Sequence, residues 1–228
     1  MRASAFASTL PLVFSYLVLK IGSLPHWPLA RKVKRRMSDR DIRPTLHHIN
    51  LTTTRLQEMI DWYGQVLGLT PTFQFEKGAW MSNDGANHRL ALLVIPKLID
   101  DPRKREYAGL HHHAYEFNTL ADLLASYSRL KLCGIVPTFA LDHGLTTSLY
   151  YTDPDGNLVE LQVDNFGEWE MSKRWMATSP QFAANPTGVQ FDPDKLVEAL
   201  AVGLGHDEIH RRAYANEFAP EELAELGV

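Results

Sequence analysis

Hydrophobic and polar positions from Leu46 onward follow a regular order of short strands and one helix. The stretch Leu46–Thr52 is typical of a strand, and Arg55–Leu67 places apolar residues at positions 56, 59, 60, 63, 66 and 67, the spacing of one helix face. Gly68 is expected to end this helix. Polar and glycine-containing turns separate three further predicted strands: Thr70–Phe75, Ala79–Ser82 and His88–Ile95.

The same order recurs in the second half of the chain. Leu110–Phe117 is a predicted strand, and Leu120–Leu132 is a predicted helix closed by Gly134. The three strands expected after it are Ile135–Ala140, Thr147–Tyr151 and Leu158–Val163. Residues 46–96 and 110–163 are therefore predicted to be two copies of one strand-helix-three-strand unit; the alternative is an unrelated ferredoxin-like α+β domain.

The pattern loses its regularity after Val163. Asp164–Gly188 shows no clear periodicity, whereas the segment that begins at Asp192 predicts a capped helix with Pro193 at its first position. His206 and His210 lie four residues apart on a candidate helix, a spacing that could bind a metal. We interpret both as surface residues, because no acidic third ligand is evident beside them in the sequence.

The first 38 residues differ in composition from the rest. They hold seven Lys and Arg residues and no acid. Their apolar stretch Leu10–Leu24 is short for a membrane span, and the basic cluster follows it, whereas a secretory signal has its positive charge in front. Three interpretations stay open: a targeting peptide, a weak membrane anchor, or an upstream extension of a reading frame whose natural start is Met37. We expect a cytoplasmic protein, with organelle targeting or weak membrane association as alternatives.

Charge and cysteine content exclude several function classes. Outside the first 38 residues the chain has 16 basic against 27 acidic residues, a net charge of −11, which argues against nucleic-acid binding. Cys133 is the only cysteine, so an intramolecular disulfide and a cysteine-rich zinc site are excluded, and a reducing compartment fits. No glycine-rich phosphate loop occurs, and no organic cofactor is expected.

Histidines cluster in the first strand of each repeat, and a glutamate lies in the last strand. Iron(II) oxygenases that bind both a substrate and dioxygen use two imidazoles and one carboxylate on one face of the metal. His47 and His48 supply imidazoles in the first unit, the run from His111 to His113 supplies them in the second, and Glu160 supplies the carboxylate.

The repeat and these residues, over about residues 46–166, resemble the vicinal-oxygen-chelate superfamily, which includes glyoxalase I, bleomycin-resistance proteins and type I extradiol dioxygenases. The resemblance implies an α+β fold in which two βαβββ modules form one cup-shaped mixed sheet, followed by an irregular and helical tail. The implied division of the chain is an N-terminal extension at 1–40, a paired-module catalytic domain at 44–166 and a C-terminal extension at 167–228.

The same resemblance selects three metal ligands. His48 precedes Ile49 as in the family, His112 lies in a Gly-Leu-x-His-x-Ala-aromatic run, and Glu160 ends the segment Asp153-Pro-Asp-Gly-Asn-Leu-Val-Glu. Because side chains alternate along a strand, the neighbours should lie on the opposite face as packing or surface residues. Those neighbours are His47, His111 and His113.

Residues around the ligands resemble the extradiol dioxygenase signature. His143, Tyr150 and Glu160 follow it, although Leu141 departs from the residues that the family prefers and the interval from His143 to Tyr150 is short. The segment around His88 resembles a second family motif, with Arg89 where Asp is common. The resemblance implies that Tyr150 and His143 hydrogen-bond the bound diol, and that His88 stabilises charge developing on dioxygen and then acts as a general acid.

The predicted fourth strand of the first unit contains no carboxylate or glutamine that could serve as the additional ligand of glyoxalase-type members. An open three-ligand site, and hence an extradiol catechol dioxygenase, is therefore favoured. It would use Fe(II), with Mn(II) as the alternative, to insert O2 into a catechol-type diol, and we expect a homo-oligomer without nucleic-acid partners. The alternatives are a glyoxalase-like metal-dependent lyase or isomerase and a bleomycin-resistance-type binding protein.

Overall fold

A computed structural model of the chain describes residues 43–224. The described residues from Leu46 onward belong to one compact unit. The predicted N-terminal extension at 1–40, with its apolar stretch and the proposed start at Met37, lies outside the described residues. Within the described part of the chain, no helix is both long enough and apolar enough to cross a membrane.

The first module has the predicted order of elements. Its members are β1 (Ile49–Thr52), α1 (Leu56–Leu67), β2 (Thr70–Phe75), β3 (Gly78–Ser82) and β4 (Leu90–Leu93). The strands form one sheet in the order β1-β4-β3-β2, in which β1 runs parallel to β4 and the other pairs are antiparallel. Helix α1 ends at Gly68, whose φ of 64° lies in the left-handed region that glycine adopts without strain.

The second module repeats this topology. It comprises β5 (His112–Phe117), α2 (Leu120–Leu132), β6 (Phe139–Asp142), β7 (Thr146–Thr152) and β8 (Leu158–Asp164). Its sheet has the order β5-β8-β7-β6-β9, which reproduces the first sheet and adds a short strand from the tail. The predicted duplication and the α+β class are confirmed; the strands form two mixed sheets, one of four and one of five strands, instead of one continuous sheet.

The two faces of the second sheet have different roles. One face packs on α2, with Leu149, Tyr151, Leu161 and Val163 buried in the larger core cluster. On the other face, which we call the open face, Phe139, Leu141, Tyr150 and Leu158 form a separate small cluster. Strand alternation places Glu160 and His112 on the open face as well, since Glu160 pairs with Tyr150 and His112 pairs with Leu158.

The tail contains more helix than its sequence pattern predicts. It forms α3 (Trp169–Thr178), α4 (Pro180–Ala184), β9 (Val189–Gln190), α5 (Pro193–Ala201) and α6 (His206–Tyr214). The predicted cap of α5 is confirmed, because the Asp192 side chain accepts a hydrogen bond from Asp194 N and Pro193 takes the first position. Helix α3 buries little apart from Ser172, so it lacks the apolar stripe that sequence patterns reveal.

Candidate active site

Glu160 lies at the centre of the open face. Its side chain is only 6% exposed, and Oε2 lies 3.0 Å from His112 Nε2. The Tyr150 hydroxyl donates a hydrogen bond to Glu160 Oε1 over 2.9 Å. Burial opposes ionisation of this carboxyl, but hydrogen bonds from His112, Ser148 and Tyr150 outweigh it and lower the pKa of Glu160. Glu160 is therefore held as a carboxylate with an imidazole beside it, the donor chemistry of a transition-metal site.

His143 extends this arrangement across the open face. Its Nε2 lies 2.9 Å from the Tyr150 hydroxyl. Because that hydroxyl gives its single hydrogen to Glu160, His143 Nε2 must donate in this contact. Burial lowers the pKa of His143. The predicted catalytic residues His143 and Tyr150 thus lie next to two predicted ligands, His112 and Glu160, in one hydrogen-bonded row.

His113 points to the opposite face of the sheet, as strand alternation predicts. It is buried, and its Nε2 lies 3.1 Å from the hydroxyl of Tyr63, which in turn donates to Asp153 Oδ2 over 2.9 Å. Burial, with a smaller contribution from His112, lowers the pKa of His113 to about 4. His113 is a neutral packing residue, and its partner Tyr63 links α1 to the Asp153 turn.

Strand alternation does not hold at His47 and His111, although both are surface residues as expected. Strand β1 begins only at Ile49 and β5 only at His112, so both residues precede the regular strand geometry on which the argument depends. Each is exposed, but its ring contacts the neighbouring candidate ligand instead of pointing away: His47 Nδ1 lies 3.1 Å from His48 Nδ1, and His111 Nδ1 lies 2.8 Å from His112 Nδ1.

His48 belongs to a second cluster of histidines. Its ring centroid lies 4.3 Å from that of His88 and 5.4 Å from that of His47. Among residues 43–224, these are the only three His, Cys, Asp or Glu side chains whose ligand atoms all lie within 4.8 Å of one another. The structure therefore brings His112 together with Glu160, and His48 together with His88, in separate groups. The full ligand set of His48, His112 and Glu160 stays a prediction.

His88 lies immediately before β4 and packs among aromatic rings. Besides His48, it contacts Trp80 edge-on, with a centroid separation of 6.5 Å. Burial, and then the nearby His48 and His47, lower the pKa of His88. A neutral imidazole can donate a hydrogen bond to charge that develops on dioxygen, whereas the predicted role as a general acid requires that it first take up a proton.

Sequence reasoning missed the polar cluster behind His143. Asp142 is fully buried, and its Oδ2 lies 2.8 Å from Nδ1 of His210. His206 Nε2 lies 3.1 Å from Asn165 Oδ1, and Asn165 also contacts His210. The interpretation of His206 and His210 as surface residues is therefore wrong. Their acidic partner is distant in sequence, and the only sequence signal was that Asp142 directly precedes His143.

Comparison with known proteins gives one family. The model of the Glyoxalase/Bleomycin resistance protein/Dioxygenase superfamily matches residues 45–161. Biphenyl-2,3-diol 1,2-dioxygenase 2 of Rhodococcus globerulus is 43% identical over 178 residues, which cover 78% of this chain and 93% of that protein. Biphenyl-2,3-diol 1,2-dioxygenase 3 of the same organism is 38% identical over 174 residues, with 76% and 91% covered. Catechol-2,3-dioxygenase of Bacillus subtilis (strain 168) is 29% identical over 117 residues, with 51% and 40% covered.

Proposed function

The chain belongs to the Glyoxalase/Bleomycin resistance protein/Dioxygenase superfamily, and we propose that it is an extradiol dioxygenase that cleaves a catechol-type aromatic diol beside its hydroxyls. The observation that carries this proposal is the hydrogen-bonded row from His143 through Tyr150 to Glu160 and His112. The two Rhodococcus relatives, both named as aromatic-diol dioxygenases, align with most of the chain and confirm the predicted enzyme class.

The dioxygenase relatives imply a metal cofactor, and we assign its binding to His112, Glu160 and His48. Two imidazoles and one carboxylate suit Fe(II), with Mn(II) as the alternative. When bound, the metal supplies the Lewis acidity that lowers the pKa of a substrate hydroxyl and the redox chemistry that engages dioxygen. His112 and Glu160 already converge, whereas His48 contacts His88 and lies in a separate group of histidines.

Tyr150 and His143 would bind the diol. The Tyr150 hydroxyl lies 2.9 Å from Glu160 Oε1, so a substrate oxygen near Glu160 is also within reach of this hydroxyl. The proton on His143 Nε2, now donated to Tyr150, could instead be donated to an oxyanion of the diol. Phe139 stacks on Tyr150 with a centroid distance of 4.4 Å and provides an apolar surface for the aromatic ring.

His88 would serve the dioxygen side of the reaction. Its neutral imidazole would take up the proton that a diol hydroxyl loses and later return it to an oxygen atom that acquires negative charge as the O–O bond breaks. Its contact with His48 places it beside a proposed ligand without making it one of the three.

An oxygen electrode tests this function. The protein is loaded with Fe(II) without air and then offered a panel of catechols, with the ring-opened product followed by its absorbance. We expect oxygen uptake with catechols, none in Glu160→Gln, and uptake in the matched variant Glu208→Gln, which alters only an exposed pair with Arg211 on α6. Tight Ni(II) or Zn(II) binding with no oxygen uptake would indicate a glyoxalase-like lyase. Catechol binding that survives metal removal, again without uptake, would indicate a bleomycin-resistance-type binding protein.

A further inference from the structure

A cavity of about 710 Å³ lies beside the row of candidate catalytic residues, where β5, β6 and β8 begin. Phe139 and Leu158 provide its apolar floor, Asn50 and His111 contribute polar walls, and Lys104 and Arg105 lie at its edge. The loop that carries both cations contains the short 3-10 turn Lys104–Glu106, directly before the second module.

Strand register places two residues of the cavity lining, Phe139 and Leu158, on the same sheet face as the candidate active site. Leu158 pairs with His112 across the parallel strands and lies two residues before Glu160, so all three share the open face. Phe139 pairs with Tyr150 and stacks on its ring. Because residues two apart along a strand are separated by about 7 Å, a substituent on a ring bound near Glu160 can extend into the cavity.

Both cations at the cavity edge are held by neutral groups. Lys104 Nζ donates to Asn157 Oδ1 over 3.0 Å. Arg105 Nε donates to Gly156 O over 3.1 Å, and Nη2 donates to Thr152 Oγ1 over 2.9 Å. A guanidinium has five N–H groups, so three of those on Arg105 remain for a ligand after these two bonds.

No carboxylate is among the residues lining this cavity in the described part of the chain. Asp153, on which Lys104 exerts an electrostatic effect, already accepts hydrogen bonds from Asn157 and Tyr63. The neighbouring Arg103, by contrast, is paired with Asp101 at 3.1 Å. Lys104 also lines a neighbouring cavity together with Asp100, Asp101 and Asp155, so the positive charge available to a ligand in the larger cavity rests mainly on Arg105.

From this arrangement we propose that the enzyme selects catechols bearing a carboxylate side group, with the carboxylate bound by Arg105 and Lys104. The proposal rests on the dioxygenase function and names its substrate class. A guanidinium fixed in orientation by two hydrogen bonds can bind a carboxylate with paired N–H groups, and the apolar floor of Phe139 and Leu158 accommodates the carbon atoms between ring and carboxylate.

The binding arm of the test needs neither metal nor turnover. Isothermal titration of the metal-free protein compares phenylacetate with its neutral isostere phenylacetamide. We expect phenylacetate to bind at least about tenfold more tightly, and Arg105→Gln to abolish the difference. Arg103→Gln is the matched control and should preserve it, because this arginine pairs with Asp101 and does not line the cavity. Lys104→Met provides a second variant should Arg105→Gln fold poorly.

The kinetic arm compares kcat/KM for 3,4-dihydroxyphenylacetate and for its amide on the iron-loaded enzyme. A preference for the acid that is lost in Arg105→Gln supports the proposal. Oxygen uptake with equal kcat/KM for acid and amide, or a preference that Arg105→Gln and Lys104→Met both leave intact, overturns the carboxylate site and leaves the dioxygenase. If phenylacetate binds more tightly than phenylacetamide but no catechol supports oxygen uptake, the dioxygenase function and the catechol substrate class are overturned, and the anion site stands.

Discussion

The imidazole of His210 on α6 contacts the buried carboxylate of Asp142, with Nδ1 2.8 Å from Oδ2, directly beside the backbone of His143. The other oxygen of Asp142 accepts a hydrogen bond from Gly144 N over 2.8 Å. The Asp142 side chain therefore joins helix α6 of the tail to the turn that presents His143 to Tyr150. Through this link the tail helps to position His143, although all three candidate metal ligands lie in the two modules.

Replacing His210 by Ala should destabilise the protein by on the order of 3 kcal/mol, since it leaves a fully buried carboxylate without its ring partner. Urea unfolding measures the change. Glu208→Gln on the same helix is the control: it breaks only an exposed pair with Arg211 and should cost less than about 1 kcal/mol. Equal effects of the two substitutions would contradict a special role for the Asp142 contact.

A comparison of two glycines tests whether the tail must approach the His143 turn closely. Gly188 and Gly203 have φ values of 87° and 91°, so Ala introduces similar backbone strain at both. A Cβ on Gly188 would lie 2.1 Å from Asp142 O and 2.7 Å from His143 Cα, whereas Gly203 has open space. Gly203→Ala should lower the free energy of unfolding by about 1 kcal/mol. Gly188→Ala should lower it considerably more and should also reduce turnover. Matching losses by urea unfolding would count against the close approach.

The metal assignment predicts that His48→Ala, His112→Ala and Glu160→Ala each lose stoichiometric iron, because a three-ligand site has no spare donor. His47→Ala should keep it. Metal analysis after anaerobic loading measures both.

The histidine cluster makes the His47 variant decisive. If the metal were held by His47, His48 and His88 instead, His47→Ala would lose iron while Glu160→Ala retained it. That pattern would refute the assignment of Glu160.

Local sequence signals predicted the modules well. Helix α1 buries Met59, Ile60, Tyr63 and Val66 on one face, which is the periodicity read from the sequence, and Gly68 ends it as expected. Helix α2 matches its predicted bounds of Leu120–Leu132. Duplication reinforced these predictions, because each element was expected twice.

Contacts between distant segments could not be predicted in this way. Asp142 and His210 meet only because β9 and α6 of the tail pack against β6, which no periodicity encodes. The register of Glu160 against Tyr150 follows from strand pairing once the fold is known. For His47 and His111 the error lay at strand ends, where one residue more or less of regular structure decides the face.

The His206 environment predicts a pH dependence of stability. Burial, and then His210, lower the pKa of His206; Asp142, Asp164 and Asp207 act in the opposite direction without cancelling it. His206 is therefore protonated more readily in the unfolded chain than in the folded chain. Its contribution to the free energy of unfolding is complete above about pH 6.5 and is lost as the pH is lowered. In urea unfolding, the free energy of unfolding of His206→Asn should fall less than that of the wild type as the pH is lowered from about 7.5 to 5.5. Parallel curves would exclude His206 as the source.

Substituting His88 by Phe separates oxygen chemistry from binding. The ring of His88 packs against His47, His48 and Trp80, and His88 is not one of the three proposed ligands, so iron content and anaerobic catechol binding should stay intact. Turnover should fall about a hundredfold or more, the scale expected when a general acid is lost. Optical titration with catechol under argon measures binding, and the oxygen electrode measures turnover. Normal turnover in His88→Phe would show that His88 only packs beside His48, and the role of proton donor to dioxygen would pass to His143.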